Sequence, residues 1–430
     1  MTGSRWFGKS GALFSLASVA FTTFSIQGLS FLSSILVIRA LTVRDYALFS
    51  IATSMAGVLG GLADSGLSVA SLSLGGRYDG NPREQGTLLA TCRQMLRFNG
   101  ALAFLAVAPL WLWSSWKHSE SVWQLAWIGG FIFLGFFALL GINVYRSLLL
   151  VHHKLQRMQA CDIGCTLLRV VLMLVGLRFL PSAETAVAVG FLADVPRVLF
   201  YRAMVRGCVE PGQPPSPGMR REILGILKRT MPNTIYGALS AQVQFVLLAL
   251  LGNSKSVAGA GALIRLHQLF MIVPSFSAGV LNPRLAREKD VHRLPVQFTR
   301  FGIVGTGLGL AVAGVIIAFP WLFLWLLGPS YSDYYFEARM MAVVSLAFST
   351  AGVFTGLLAS RGFVVPPAWT IGANVSALTV SVMFLPVDQL RGFLWMQVLV
   401  SSAALIVAIF GAVHFFRKLA AGHAEPVHPA

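Results

Sequence analysis

Charge is scarce in this 430-residue chain: Asp, Glu, Lys and Arg together make up 11% of it, against about 25% in a soluble domain. So little charge cannot cover a water-facing surface, which excludes a soluble globular protein. Acid is scarcer than base, with 16 Asp and Glu against 33 Lys and Arg. Cysteine is rare as well. Its four positions include Cys161 and Cys165, one helical turn apart, but no companion ligands suit zinc, so no metal site is expected. Walker, His-Glu-x-x-His and nucleophile-elbow motifs are missing, so neither an enzyme nor direct nucleotide drive is expected, and no cofactor. In/out alternation is missing from the long apolar stretches, which excludes a transmembrane β-barrel.

What is present is apolar. Hydrophobic residues make up 56% of the chain and the mean hydropathy is +0.73. The composition predicts an all-α polytopic membrane protein. A span with its share of loop takes about 36 residues, so the length admits around twelve. The apolar segments are read as residues 11–38, 46–74, 95–116, 122–150, 158–180, 184–206, 229–252, 257–282, 301–327, 336–360, 363–386 and 392–416. They leave no room for a separate soluble domain.

The net charge of +17 would point to nucleic acid in a soluble chain. Here it reads as topology. With the N-terminus in the cytoplasm, 23 of the 33 Lys and Arg fall at cytoplasmic ends and loops, six at the other side and four inside spans. That bias predicts a multi-pass protein of the plasma membrane with both termini cytoplasmic, and no nucleic-acid partner. Arg5 and Lys9 resemble the start of a signal peptide, with Ser18-Val19-Ala20 as a cleavage site. The apolar run continues to Ile38, so an uncleaved anchor is expected.

Pro211, Pro214, Pro215 and Pro217 interrupt the longest polar stretch. The expected organisation is a six-helix lobe over 1–206, a cytoplasmic linker over 207–228, a second six-helix lobe over 229–416 and a cytoplasmic tail over 417–430. The last ten residues of the tail, 421–430, are polar and expected to be disordered. His152-His153 reads as a solvated turn.

Polar groups inside spans are costly and mark candidate sites. Gln27 and Gln244 lie at matching depth in the first and seventh spans and predict a shared central space. Arg169, Arg197, Arg265 and Arg339 fall inside spans. Asp194 precedes Arg197 by three residues, so the two can pair. Arg169 lies two turns from Asp162, too far for contact, and at the depth of Asp194. Arg265 has His267 nearby and no acid on its own helix, which makes it the leading substrate contact. Arg339, beside Glu337, reads as an interfacial anchor. The candidate substrate-binding residues are thus Arg265, Arg169, Arg197, Gln27, Gln244 and His267. Asp194, Asp162 and His267 are the candidates for ion coupling. Asp64, near the cytoplasmic face, reads as a helix-terminal residue.

The run Arg39-Ala40-Leu41, Tyr46-Ala47 and Asp64-Ser65-Gly66-Leu67 resembles the N-terminal pattern of bacterial polysaccharide flippases: Arg-x-Leu, Tyr-Gly and Asp-Leu-Gly-Leu. Pro232 is read as opening span seven. Val257–Leu263 and Asn282-Pro283-Arg284-Leu285 agree more loosely with the second half of that family. Ala47, Ser65 and Ala260 depart from it, and Gln244 stands near where many members carry Asp, so a mechanism coupled through that Asp does not carry over.

These flippases share the multidrug/oligosaccharidyl-lipid/polysaccharide superfamily with multidrug exporters of the MATE type. The resemblance implies a MATE-like V of two six-helix lobes working by alternating access in the bacterial inner membrane. It implies flipping of an undecaprenyl-diphosphate-linked oligosaccharide to the periplasmic leaflet, for O-antigen or exopolysaccharide assembly. Membrane lipids, a polysaccharide polymerase and a chain-length regulator are the expected partners. Guanidinium forks suit a diphosphate. Two alternatives stay open: a multidrug or other small-molecule exporter of the same fold, and a polytopic polysaccharide polymerase or ligase. The short outer loops Lys117–Ser121 and Gly328–Tyr335 weigh against the last.

Overall fold

The computed structural model describes residues 9–420 other than 120, 153, 287, 289, 291 and 362. Arg5, His153, Arg287, Lys289 and the tail from 421 therefore lie outside the described residues. The described chain is built of helices: α1 (Lys9–Ala40), α2 (Val43–Asp64), α3 (Leu67–Arg77), α4 (Pro82–Trp116), α5 (Val122–Leu139), α6 (Ile142–Val151), α7 (Leu155–Phe179), α8 (Ala183–Arg206), α9 (Pro217–Leu251), α10 (Ser254–Phe270), α11 (Ile272–Phe276), α12 (Asn282–Ala286), α13 (Leu294–Ala318), α14 (Pro320–Leu327), α15 (Tyr335–Ala359), α16 (Pro367–Phe384) and α17 (Leu390–Ala420). Every expected span lies on one or more of them. Among the described residues, nine helical segments are long and apolar enough to cross a membrane. The remaining spans, the first, sixth and seventh, are also helical. α1 and α9 carry shorter apolar stretches, Phe24–Ala40 and Gln242–Leu251, and α8 carries Asp194 and Arg197 in mid-helix. This is a polytopic α-helical membrane protein.

Backbone chemistry explains the breaks. Span two divides into α2 and α3 at Ser65 (φ 44°) and Gly66 (φ 94°), both left-handed. Asp64 ends α2 and accepts hydrogen bonds from the backbone N of Ser68 at 3.2 Å and its Oγ at 2.7 Å, the expected helix-terminal role. Span four divides at Gly141 (φ 98°). Span eight is the most broken. Pro274 has no N–H to offer the carbonyl of Phe270, and α10 ends there. A π-helical turn, Ser277–Leu281, then precedes Asn282-Pro283. Close helix approach matters at Gly129, where a Cβ would stand 2.8 Å from Nε1 of buried Trp111.

Contacts divide the chain into two compact units. One holds Leu32–Ala258; the other holds the chain from Gly259 onward together with the first part of α1. The first is packed around Leu88, Cys92, Tyr145, Met158 and Ile223. The second has a core of Val273, Leu285, Phe298, Val353 and Phe415. Large apolar side chains such as Phe98, Trp123 and Ile303 remain exposed, as suits a surface facing lipid.

The expected division at 207–228 does not coincide with this one. α9 begins at Pro217, inside that linker, and packs on α2, α3 and α4. Met219, Ile223 and Leu227, spaced four apart, form one apolar face buried in the core of the first unit. Pro232, read as opening span seven, lies inside α9, whose helix starts fifteen residues earlier at Pro217.

Candidate functional site

Among the described residues, the charges weighed as substrate contacts lie in two places. The first is the seam between α7 and α8. Asp162, Thr166, Arg169 and Met173 follow helical spacing along α7, and Gly190, Asp194, Arg197 and Tyr201 do so along α8. The helices approach closely because Gly176 faces Val189, where a Cβ would lie 3.1 Å from Cγ2.

Along this seam Arg169 Nη2 meets Asp194 Oδ2 at 2.6 Å and the Gly190 carbonyl at 3.4 Å. Arg197 pairs with Asp194 at 3.1 Å on its own helix and with Asp162 at 3.4 Å across the seam. Tyr201, buried, donates its hydroxyl to Asp162 at 2.7 Å. Two guanidiniums and two carboxylates thus alternate in one chain of contacts, with formal charge zero. The Asp194–Arg197 and Arg169–Asp194 contacts are those expected from spacing and depth. The Asp162–Arg197 contact and the tyrosine were missed. Tyr201, seven residues beyond Asp194 on the same face, was the available signal.

The second place is α10. Arg265 is half-buried, and its buried Nε has no hydrogen-bond partner among the described residues. No ion pair of Arg265 exists among the described residues. One turn on, Gln268 Oε1 is buried and equally unpartnered. His267 stands edge-on to Phe348 of α15, with 5.5 Å between ring centroids. Arg265 and Gln268 share a face by their spacing, so two orphaned polar atoms lie together on one helix.

The other candidates are placed as follows. Gln27 is half-buried on α1. Gln244 is buried on α9, gives its Nε2 to the Ser240 carbonyl at 3.1 Å and keeps an unpartnered Oε1. The two belong to different units. Gln242, two residues earlier, makes the tighter contact: its Oε1 accepts from Ser54 Oγ of α2 at 2.5 Å. Glu337 turns out to pair with Arg391 at 2.8 Å, while Arg339 donates to the Ile317 carbonyl at 3.2 Å.

A histidine outside the spans was not foreseen. His118, in the α4–α5 loop, is buried against the α9–α10 connection. Its Nε2 meets the Ala249 carbonyl at 3.0 Å and its Nδ1 meets Ser254 Oγ at 2.8 Å. A carbonyl only accepts, so Nε2 carries the proton and the serine hydroxyl donates to Nδ1. Lys117 adds a bond to the Leu250 carbonyl at 2.9 Å, and Arg44 Nε holds the His118 carbonyl at 3.0 Å. Burial lowers the His118 pKa below 6.5, and the Lys117 and Arg44 cations push it the same way.

No protein-family model and no curated protein sequence matches the chain. Solved structures do. The chain is similar to an inward-facing multidrug resistance MATE family transporter of the MOP superfamily, at 16% identity and TM-score 0.78, covering 94% of this chain and all of that one. An outward-facing MATE family transporter matches at 14% identity and TM-score 0.62, over 98% and 100% of the two chains. A eukaryotic MATE transporter matches at 12% identity and TM-score 0.64, over 96% and 99%. At such identities the likeness is one of fold, and it extends over nearly the whole chain: this protein has the fold of the MATE transporters of the MOP superfamily.

Proposed function

We propose that this protein is a membrane exporter working by alternating access, in the bacterial inner membrane with both termini cytoplasmic. The observation that carries this reading is the end-to-end agreement of its fold with transporters. Function does not follow from fold alone, so the substrate has to be argued from the charges.

Export of amphipathic small molecules is favoured by the neighbours, whose names speak of multidrug resistance. An arginine-rich interior would oppose cationic drugs, but Arg169 and Arg197 are matched by Asp194 and Asp162. That objection now rests on Arg265 alone, because Arg339 is taken up by a carbonyl. A second reading, flipping of an undecaprenyl-diphosphate-linked oligosaccharide, is favoured by Arg265 and Gln268. Their unpartnered atoms suit a ligand that brings an anion and hydrogen-bonding groups. Both readings converge on a substrate with an anionic group met by Arg265. A polymerase and a chain-length regulator are partners under the second reading only. Asp162 and Asp194 are held in the ion chain of α7 and α8, which leaves His267 as the candidate on which ion coupling would act.

The test is a deletion strain scored for both phenotypes. Loss of surface polysaccharide with lipid-linked repeat units left on the cytoplasmic face supports the flippase. Normal polymer with raised accumulation of anionic amphiphiles supports the small-molecule exporter. A strain unchanged in both overturns export.

A further inference from the structure

Three surface cavities meet around the first turns of α13, in the unit that begins at Gly259. A groove of about 620 Å³ runs between α13, α15 and α17. Its walls include Phe298, Phe354, Ile409, Val413 and Phe416, with Arg417 at one end. A second, of about 510 Å³, continues round α13 over Val296, Arg300, Ile303 and Val304, and shares Pro295 and Thr299 with the first. The third, of about 440 Å³, is half polar and lined by Arg284, Glu288, Gln297, Arg300 and Phe301.

The surroundings join an apolar floor to free positive charge. Val296, Ile303 and Val413 are exposed; Ile303 and Val413 fall within the spans read from the sequence, where an exposed apolar side chain meets hydrocarbon, and Val296 lies just before span nine. Arg284, Arg300 and Arg417 are exposed too, and none has an ion pair among the described residues. Glu288, the carboxylate lining these cavities, is engaged by the Gln297 amide. Arg361 is used otherwise, clasping the carbonyls of Ala286 at 3.1 Å and Glu288 at 3.0 Å. Three guanidiniums are therefore left over around grooves that follow α13 from Pro295 to Val304, roughly 13 Å of helix.

We propose that these grooves form a binding site for an anionic glycerophospholipid of the surrounding bilayer. An acyl chain lies along α13 and α17, and the phosphate is held by Arg417 and Arg300. A soluble anion would gain nothing from the phenylalanines and valines, and a zwitterionic lipid would bring a cation to a basic rim. Basic pockets between transmembrane helices on the cytoplasmic side are suited to anionic headgroups, and guanidinium forks suit phosphate. This inference does not depend on which substrate is exported.

The experiment is native mass spectrometry of the purified full chain, with phosphatidylglycerol or phosphatidylcholine added in equal amounts. The expected result is preferential retention of phosphatidylglycerol. Arg300→Gln and Arg417→Gln should each weaken it about fivefold, and together about 25-fold. Val413→Trp, which fills the groove and leaves the charge unchanged, should weaken it as well. Arg206→Gln, an exposed arginine of the other unit, should not. The proposal is overturned by equal retention of the two lipids, by unchanged retention in the double variant, or by an equal drop in Arg206→Gln. Displacement of the lipid by inorganic phosphate would reduce the site to a bare anion site and overturn it. Displacement by undecaprenyl phosphate, lost in the same variants, would assign the groove to a transported lipid and overturn it equally.

Discussion

Arg197 and Arg265 both stand in membrane helices, and their surroundings are opposite. Arg197 touches two carboxylates, one on its own helix and one across the seam. Arg265 touches none among the described residues, and its Nε is buried without a partner. Insertion of an arginine at mid-membrane costs at least ~2.5–3.5 kcal/mol. On α7 and α8 that cost is offset inside the protein. On α10 it is left open. A charge compensated internally serves to lock two helices together; an uncompensated one is kept for something that arrives from outside. Stability and transport should therefore separate between the two residues.

The sharpest way to break this comparison is Arg197→Ala. It leaves Asp162 without a cation in a poorly solvated seam, while Asp194 keeps Arg169, and removal of one partner of a buried pair costs about 3–5 kcal/mol. Membrane abundance should fall and thermal unfolding in detergent should come several degrees earlier. A change below about 1 kcal/mol would mean that the seam is hydrated and the ion chain is not a lock. Tyr201→Phe is milder. It removes one hydrogen bond to a carboxylate, worth about 1.5–3 kcal/mol, and should leave transport per molecule unchanged. Losing transport at normal abundance would instead place Tyr201 in the coupling machinery.

The histidine outside the spans supplies a pH test. Its folded pKa lies below the unfolded value of 6.5, so the unfolded chain binds more protons in the interval between them. The stability His118 contributes is complete above pH 6.5 and declines as pH falls towards its folded pKa. Unfolding followed from pH 7.5 to 5 should show this slope, and His118→Gln should flatten it. An unchanged slope in the variant would assign the acid sensitivity to other groups. The smallest effect belongs to Arg77→Ala. The Arg77–Glu222 pair is 3.4 Å long with both side chains largely exposed, and such pairs contribute about 0–1 kcal/mol. A larger loss would show that the start of α9 is held by this pair and not by Met219, Ile223 and Leu227.

Much of the helical layout was legible, because apolar runs of span length leave few alternatives in lipid. The Asp194–Arg197 pair was legible too, since three-residue spacing is a local rule. Asp162 was not readable as a partner of Arg197, because that contact depends on how α7 and α8 slide and turn against each other. The early start of α9 was hidden for a different reason. Arg220, Arg221, Glu222 and Lys228 make the stretch polar on average, and only the spacing of Met219, Ile223 and Leu227 reveals a buried face. Pro232 gave no sign of the earlier start, because proline commonly opens helices, whereas here α9 continues through it. The His118 contacts join residues 118, 249 and 254, which no local pattern connects.

The most direct test of the account is export per molecule of membrane protein in Arg265→Ala beside the wild type. The account predicts wild-type abundance and stability within about 1 kcal/mol, because no carboxylate is stranded. It also predicts export reduced at least tenfold, with partial recovery in Arg265→Lys, which keeps the charge and loses the planar fork. Normal export by Arg265→Ala, or a loss that merely follows disappearance of the protein, would contradict it and make Arg265 a packing residue.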